Sequence, residues 1–315
     1  KYVIISLGDI MKTCTLICNK ESGRGTNNEQ IDKIINILKK YDYETTLYIT
    51  KKAGDATKIV SNIDDCDLVL SIGGDGTFNE SVTGNYQRKK RLVLSHIPLG
   101  TTNDIGHMLG LSKNIEKTLK SILEGEVKQV DIGLINNKPF IYVAGFGKFI
   151  DVPYETPRKL KKRLGHLAYL LNGAKEFFNK TKTYELEYKV NNETYKGMYS
   201  LILISNANRI AGFNNIYKDV KLDDNQFEIM FCNITKKRTL VKSLLIMMKE
   251  GITNVPGIYY HRASSIEIKF DKKPTVNWTI DGEKLEPKDQ KIKITIDKKT
   301  KMLLPKKNLK DLFIK

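Results

Sequence analysis

Gly73, Gly74, Asp75, Gly76 and Thr77 stand directly after the apolar run Leu68-Val69-Leu70, with Asn79 and Glu80 close behind. Glycines at the end of a buried strand have two uses. They let the chain reverse sharply, and they expose backbone N–H groups that can cradle a phosphate. The aspartate among them adds a ligand for a cation. Three other stretches hold residues of the same kind: NKESGRG at 19–25, PLGTTND at 98–104 and TIDGEKL at 279–285. Together the first three loops supply backbone amides, Ser and Thr hydroxyls, Asn carboxamides and acids, an inventory that suits a nucleotide and its metal. The Walker pattern G-x-x-x-x-G-K-[ST] is missing, and so is G-x-G-x-x-G after the first strand, which argues against a P-loop ATPase and a Rossmann dehydrogenase.

The elements that must position these loops follow from periodicity. Strands are expected at Thr13–Asn19, Thr45–Thr50, Leu68–Ile72 and Leu92–Ile97. Helices are expected at Asn28–Tyr41, Asp55–Ile63, from GGDGT to about Gly84, and at Ile115–Glu124. Alternation of this kind builds a parallel sheet with covered faces, and ligands then bind beyond the carboxyl ends of the strands, where these Gly-rich turns fall. After about Val130 the texture becomes β-rich. Strands are expected at Asp131–Val143, Tyr184–Lys189, Thr194–Ser205, Gln226–Phe231, Ser265–Phe270, Val276–Ile280 and Lys291–Ile296. Helices are expected at Leu164–Phe178 and Lys236–Glu250. The fold class is therefore α/β plus all-β. An N-terminal α/β nucleotide-binding domain with a parallel sheet spans 11–130, and a C-terminal antiparallel β-sandwich domain spans 131–303. Residues 304–315 form a segment expected to pack back on the first domain.

The size of the chain, 315 residues, agrees with two domains, and its 28% charged residues argue against a membrane-spanning or a disordered chain. No apolar run reaches the length of a membrane-crossing helix, and no signal peptide opens the sequence. Met11-Lys12 reads as a candidate native start, with residues 1–10 either a leader or an artificial addition. Cys14, Cys18, Cys66 and Cys232 lie in apolar surroundings without metal-ligand spacing, so core thiols in a reducing, cytoplasmic compartment are expected. The excess of 53 Lys and Arg over 36 Asp and Glu gives a net charge of +17, which draws the chain toward polyanions unless it is a compositional habit.

Taken together, GGDGT followed by Asn79-Glu80, PLGTTND, NKESG, LILISNANRIAGF with VKLDDNQFEI, and IDGE resemble the soluble bacterial diacylglycerol kinases and YegS-type lipid kinases. The resemblance runs from about Lys12 to the C-terminus. It implies an α/β domain above a β-sandwich, an active site between them, and transfer of the ATP γ-phosphate to a lipid hydroxyl, with diacylglycerol the leading acceptor. On that resemblance Asn19, Ser22 and Gly23 lie near the nucleotide. Gly73, Gly74, Asp75, Gly76 and Thr77 hold its phosphates, and Gly100, Thr101 and Asn103 close the site. Asp75 links to catalytic Mg²⁺, Asp281 is the general base and Glu283 assists it. Asp224 matches an aspartate that helps hold a structural Mg²⁺, although Asn225 stands where the family has Gly.

Each site has an ordinary explanation beside this one. Asp281-Gly282 also reads as a plain hairpin turn, and Asp223-Asp224 as a surface turn. The run Arg158, Lys159, Lys161, Lys162 and Arg163 is either a solvated face or a dock for an anionic membrane, where each basic residue adds ~1 kcal/mol. The partners expected are a lipid substrate in a membrane and the anionic inner membrane face, touched peripherally, with a homodimer possible. Nucleic acid is not expected, because no aromatic interleaving or known motif accompanies the basic residues. Another lipid alcohol, a soluble acceptor such as NAD, and a silent nucleotide- or lipid-binding module stay open as alternatives.

Overall fold

The computed structural model describes residues 11–148 and 181–314, apart from residues 24 and 308 and short stretches within 208–218, 237–249 and 253–254. The basic run at 158–163 and the helix expected at 164–178 lie outside the described residues. In the stretch expected as the second late helix, Arg238, Thr239, Lys242, Ser243, Ile246 and Glu250 are helical.

The first unit alternates as expected: β1 (Lys12–Cys18), α1 (Asn28–Lys40), β2 (Tyr43–Ile49), α2 (Asp55–Asn62), β3 (Leu68–Gly73), α3 (Asp75–Tyr86) and β4 (Leu94–Pro98). Two further helices follow, α4 (Asp104–Met108) and α5 (Ile115–Leu123). Strands β1 to β4 are parallel in the order β2-β1-β3-β4. Strand β3 is buried at every residue, the signature of a sheet covered on both faces. Helix α1 starts with a full capping box, Asn27 and Gln30 each satisfying the other's backbone N–H, and turns Ile31, Ile34, Ile37 and Leu38 onto the sheet.

The β-rich unit contains β5 (Glu126–Ile135), β6 (Lys138–Phe140), β7 (Val143–Gly147), β8 (Tyr184–Val190), β9 (Glu193–Tyr199), β10 (Leu201–Ser205), β11 (Arg209–Ile210) and β12 (Phe213–Asn214). It continues with β13 (Phe227–Cys232), β14 (Ile258–Ala263), β15 (Ser265–Phe270), β16 (Trp278–Ile280), β17 (Glu283–Leu285) and β18 (Lys291–Leu304). Strands β14-β13-β10-β7-β16-β17 form one antiparallel sheet. Its inner face packs on β8, β15 and β18 through Phe146, Tyr188, Phe227, Phe231 and Trp278, which are almost fully buried. Tyr188 stacks on Phe231 with ring centroids 3.8 Å apart.

Three single strands expected from the sequence differ. The run 131–143 is three strands, because Asn136 and Asn137 both take positive φ, 48° and 63°, and turn the chain between β5 and β6. The run 194–205 breaks at Ser200 into β9 and β10, which belong to different sheets. The last strand does not stop at Ile296 but continues to Leu304.

That long strand is the seam of the molecule. Its first part pairs antiparallel with β15, its later part pairs with β5 from Ile294 to Leu304, and Met302 meets Leu94 of β4 in parallel. A register shift between Asp297 and Thr300 bends it on the way. One sheet therefore runs from β2 to β9 across both units. Leu309, Leu312 and Phe313 then bury themselves with Leu92, Leu94 and Met108.

Candidate active site

Three loops meet at the carboxyl ends of β1, β3 and β4. Gly74 and Gly100 face each other so closely that a Cβ on Gly100 would sit 2.6 Å from the Gly74 Cα. Gly23 has φ +58°, and a Cβ there would lie 2.2 Å from the Leu99 carbonyl oxygen. Both contacts demand glycine. Gly76 is different: a Cβ there would meet nothing within 4 Å. It lies in the first turn of α3, whose N-terminus receives no side-chain cap. The open space there faces the positive end of a helix, the setting in which phosphate oxygens are bound.

The polar residues of the loops hold one another. Asn19 donates to Thr77 Oγ1 at 3.2 Å and accepts from the Glu21 amide at 3.0 Å. The Ser22 amide donates to the Asn19 carbonyl, and a Cβ on Gly74 would lie 3.2 Å from Ser22 Oγ. Asn103 is buried with φ 54° and donates to the Gly100 carbonyl at 3.1 Å. The Thr101 carbonyl accepts from Lys113 Nζ at 3.1 Å. The residues expected around a nucleotide, from Asn19 and Ser22 to Gly73 and Thr101, are thus brought to one place.

Asp75 opens α3 and accepts hydrogen bonds from the amides of Asp104 at 2.9 Å and Ile105 at 3.2 Å. Burial, and then the Asp104 charge, push its carboxyl up to about 7 despite those donors, and the Asp281 charge adds to the effect. The charge of Asp281 is thus felt at Asp75. Asp281 follows β16, is buried, and takes φ 48°. Its carboxylate accepts from the amides of Ile141 at 2.8 Å, Tyr142 at 2.9 Å and Val143 at 2.8 Å. Burial raises its pKa, the three amides lower it, Glu283 raises it again, and the result is about 6. Glu283 is half-exposed, 3.5 Å from Lys138 Nζ, and its charge also reaches Glu80.

Among the described residues no group of three acids, His or Cys is arranged to hold a metal. A Mg²⁺ that keeps its waters and leans on substrate phosphates needs only one or two carboxylates. Asp75 fits that use, because a cation beside it would offset the burial and the Asp104 charge that together raise its pKa. Asp224 does not fit its expected use. Its Oδ1 accepts from the Gln226 amide at 3.0 Å, and its Oδ2 lies 2.5 Å from Arg262 Nη2. The turn itself forms as anticipated, with Asn225 at φ 60°.

Several contributors were not singled out from the sequence. The Asp104 amide orients Asp75 from the loop singled out for Gly100, Thr101 and Asn103. The 141–143 amides hold Asp281 from far along the chain. Glu80, read as part of a family signature, instead caps α2: its carboxylate accepts from the amides of Gly54 at 2.9 Å and Ala56 at 3.1 Å. Only Asp104 had a local signal.

An α/β unit with glycine loops at its strand ends, joined through one sheet to a β-rich unit that carries the buried Asp281, is an arrangement that suits phosphoryl transfer. Residues 13–135 match the diacylglycerol kinase catalytic domain. The chain is 32% identical over 274 residues to a diacylglycerol kinase of Staphylococcus saprophyticus, covering 86% of this chain and 89% of that protein. It is 31% identical to a diacylglycerol kinase of Bacillus subtilis, covering 87% and 90%. The chain belongs to the diacylglycerol kinase family, and it is a lipid kinase. Its fold matches a crystal structure described as a diacylglycerol kinase from Bacillus anthracis, with TM-score 0.77 and 24% identity over 94% of this chain and 98% of that one.

Proposed function

We propose that the chain transfers the γ-phosphate of ATP to the hydroxyl of diacylglycerol, giving phosphatidic acid, with Mg²⁺ bound beside Asp75. The observation that carries this reading is the convergence of the glycine loops on the uncapped N-terminus of α3, where Asp75 stands and where a Cβ on Gly76 would meet nothing within 4 Å. The loops of Asn19, Ser22, Gly23, Gly100, Thr101 and Asn103 surround the nucleotide. The amides of the first turn of α3, near Gly76, receive its phosphates. When bound, Mg²⁺ neutralises phosphate charge as the phosphorus moves, which is most of what phosphoryl transfer needs.

Asp281 takes the proton of the lipid hydroxyl. Oδ1 is occupied by two amides, but Oδ2 accepts only from Ile141 and keeps a lone pair for that proton. A bond then forms between the lipid oxygen and the γ-phosphorus as the bond to the bridging oxygen breaks, and ADP leaves. Glu283 stays ion-paired with Lys138 and adds negative potential that keeps Asp281 basic. The acceptor lies in a bilayer, so the enzyme works peripherally at an anionic inner membrane face, toward which its net charge of +17 draws it.

The test is transfer of labelled γ-phosphate from ATP, with Mg²⁺, into diacylglycerol held in anionic micelles. Labelled phosphatidic acid supports the reading. Label in another lipid alcohol changes the acceptor, and nucleotide binding without any labelled lipid overturns the proposal.

A further inference from the structure

Four acids gather where β5, the turn at 221–226 and β13 meet: Asp131, Asp223, Asp224 and Glu228. Asp131 and Glu228 are almost wholly buried, and the Asp224 side chain is only 10% exposed. Charges removed from water in this way need compensation close by. Two cations of the chain supply it. Arg262, in β14, places Nη2 2.5 Å from Asp224 Oδ2 and Nε 3.2 Å from Glu228 Oε1. Lys299, at the bend of β18, lies 3.8 Å from Asp131 Oδ1 and donates to the Asp223 carbonyl oxygen. Protein donors meet most of the other acceptors: the Asn225 amide bonds Asp131 Oδ2 at 2.6 Å, the Gln226 amide bonds Asp224 Oδ1, and the Tyr260 hydroxyl bonds Glu228, while Asp131 Oδ1 has no hydrogen-bond partner and only the more distant Lys299 charge beside it.

We infer that Arg262, supported by Lys299, is the built-in cation of this turn, and that the turn holds its shape without the divalent ion expected at Asp224. A guanidinium suits the task, since it stays charged at any working pH and reaches two carboxylates from one planar group. The arrangement also leads to the active site. Asn206 donates its side-chain N–H to the Asp131 carbonyl at 3.1 Å and its backbone N–H to the Tyr142 carbonyl at 3.1 Å. Tyr142 in turn donates to the Asp281 carboxylate.

The experiment uses the full chain without nucleotide or lipid, so its result is separate from that of the transfer assay. Thermal unfolding is followed after dialysis against a chelator and again with added MgCl₂. The wild type is expected to show the same Tm in both and to retain no Mg²⁺ after dialysis. Arg262→Gln leaves Asp224 and Glu228 uncompensated, so its Tm is expected to fall by several degrees and to recover in part, saturably, with MgCl₂. Arg262→Lys, which keeps the charge, should remain indifferent to MgCl₂. A saturable Mg²⁺ response of the wild type that Asp224→Asn abolishes would overturn the inference, as would an Arg262→Gln protein as stable as the wild type. Should Arg262→Gln fail to fold, the wild-type and Asp224→Asn measurements decide alone.

Discussion

The amides of Ile141, Tyr142 and Val143 converge on the Asp281 carboxylate, and they use three of its roughly four acceptor sites. What remains is a single directed lone pair on Oδ2, so the hydroxyl must approach from one side. Asp281→Ala should lower turnover by roughly 10²–10⁴-fold and leave nucleotide affinity little changed. Near-normal turnover in a folded variant would remove Asp281 from the role of base. Burial sets the pH dependence. A base works only when ionised, and Asp281 holds its proton up to about pH 6 where an ordinary carboxyl has a value of 3.8. Activity should therefore be full above this value and fall as pH drops through it, an acid limb that a rate profile at saturating nucleotide would reveal. A limb near the ordinary value would show that the three amides outweigh burial.

Helices and loops explain residues that motif reading alone misplaces. Glu80 accepts from two amides at the start of α2, while Thr57 donates back to the Glu80 carbonyl. Glu80→Ala should destabilise the protein by ~1 kcal/mol, the scale of a lost helix cap, with turnover per folded molecule nearly kept. Denaturation midpoints and active-site titration together check this. Gly100→Ala should act in the opposite way. Its methyl group would press on Gly74, so the loops must part, and the KM for nucleotide should rise more than stability falls. The glycine loop at 73–76 was legible in the sequence because the buried strand Leu68 to Ile72 runs straight into it, although the helix after Gly74 carries little amphipathic pattern of its own. The break at Ser200 was not, since the one glycine of the run, Gly197, lies inside β9 and neither Gly nor Pro marks the break itself. The fold breaks it because its two halves pair with different neighbours. Nor could Arg262 be matched with Asp224, or Asp131 with Lys299, before folding brought together residues 38 and 168 positions apart.

At the scale of the whole molecule, charge and connectivity decide behaviour. With 53 basic against 36 acidic residues, association with anionic vesicles should weaken steeply as salt rises, while activity on micelle-dispersed substrate changes less. Sedimentation with vesicles at graded ionic strength tests this, and salt-independent binding would point to apolar insertion instead. The seam strand β18 limits how the lobes can move. Because it pairs with β15 before its bend, with β4 after it and with β5 on both sides, wide hinge opening would tear hydrogen bonds from a continuous sheet. The two lobes are expected to unfold in a single thermal transition, which calorimetry would show as one peak. The same strand has a consequence for biosynthesis. Strands β4 and β5 leave the ribosome long before residues 291–304 are made, so the nucleotide lobe is translated with its sheet edge unfilled. Non-local pairings of this kind are slow to form and leave strand edges open to other chains. Maturation must therefore wait until residues 291–304 have been made, and a ribosome stalled before β18 would hold a lobe that cannot close.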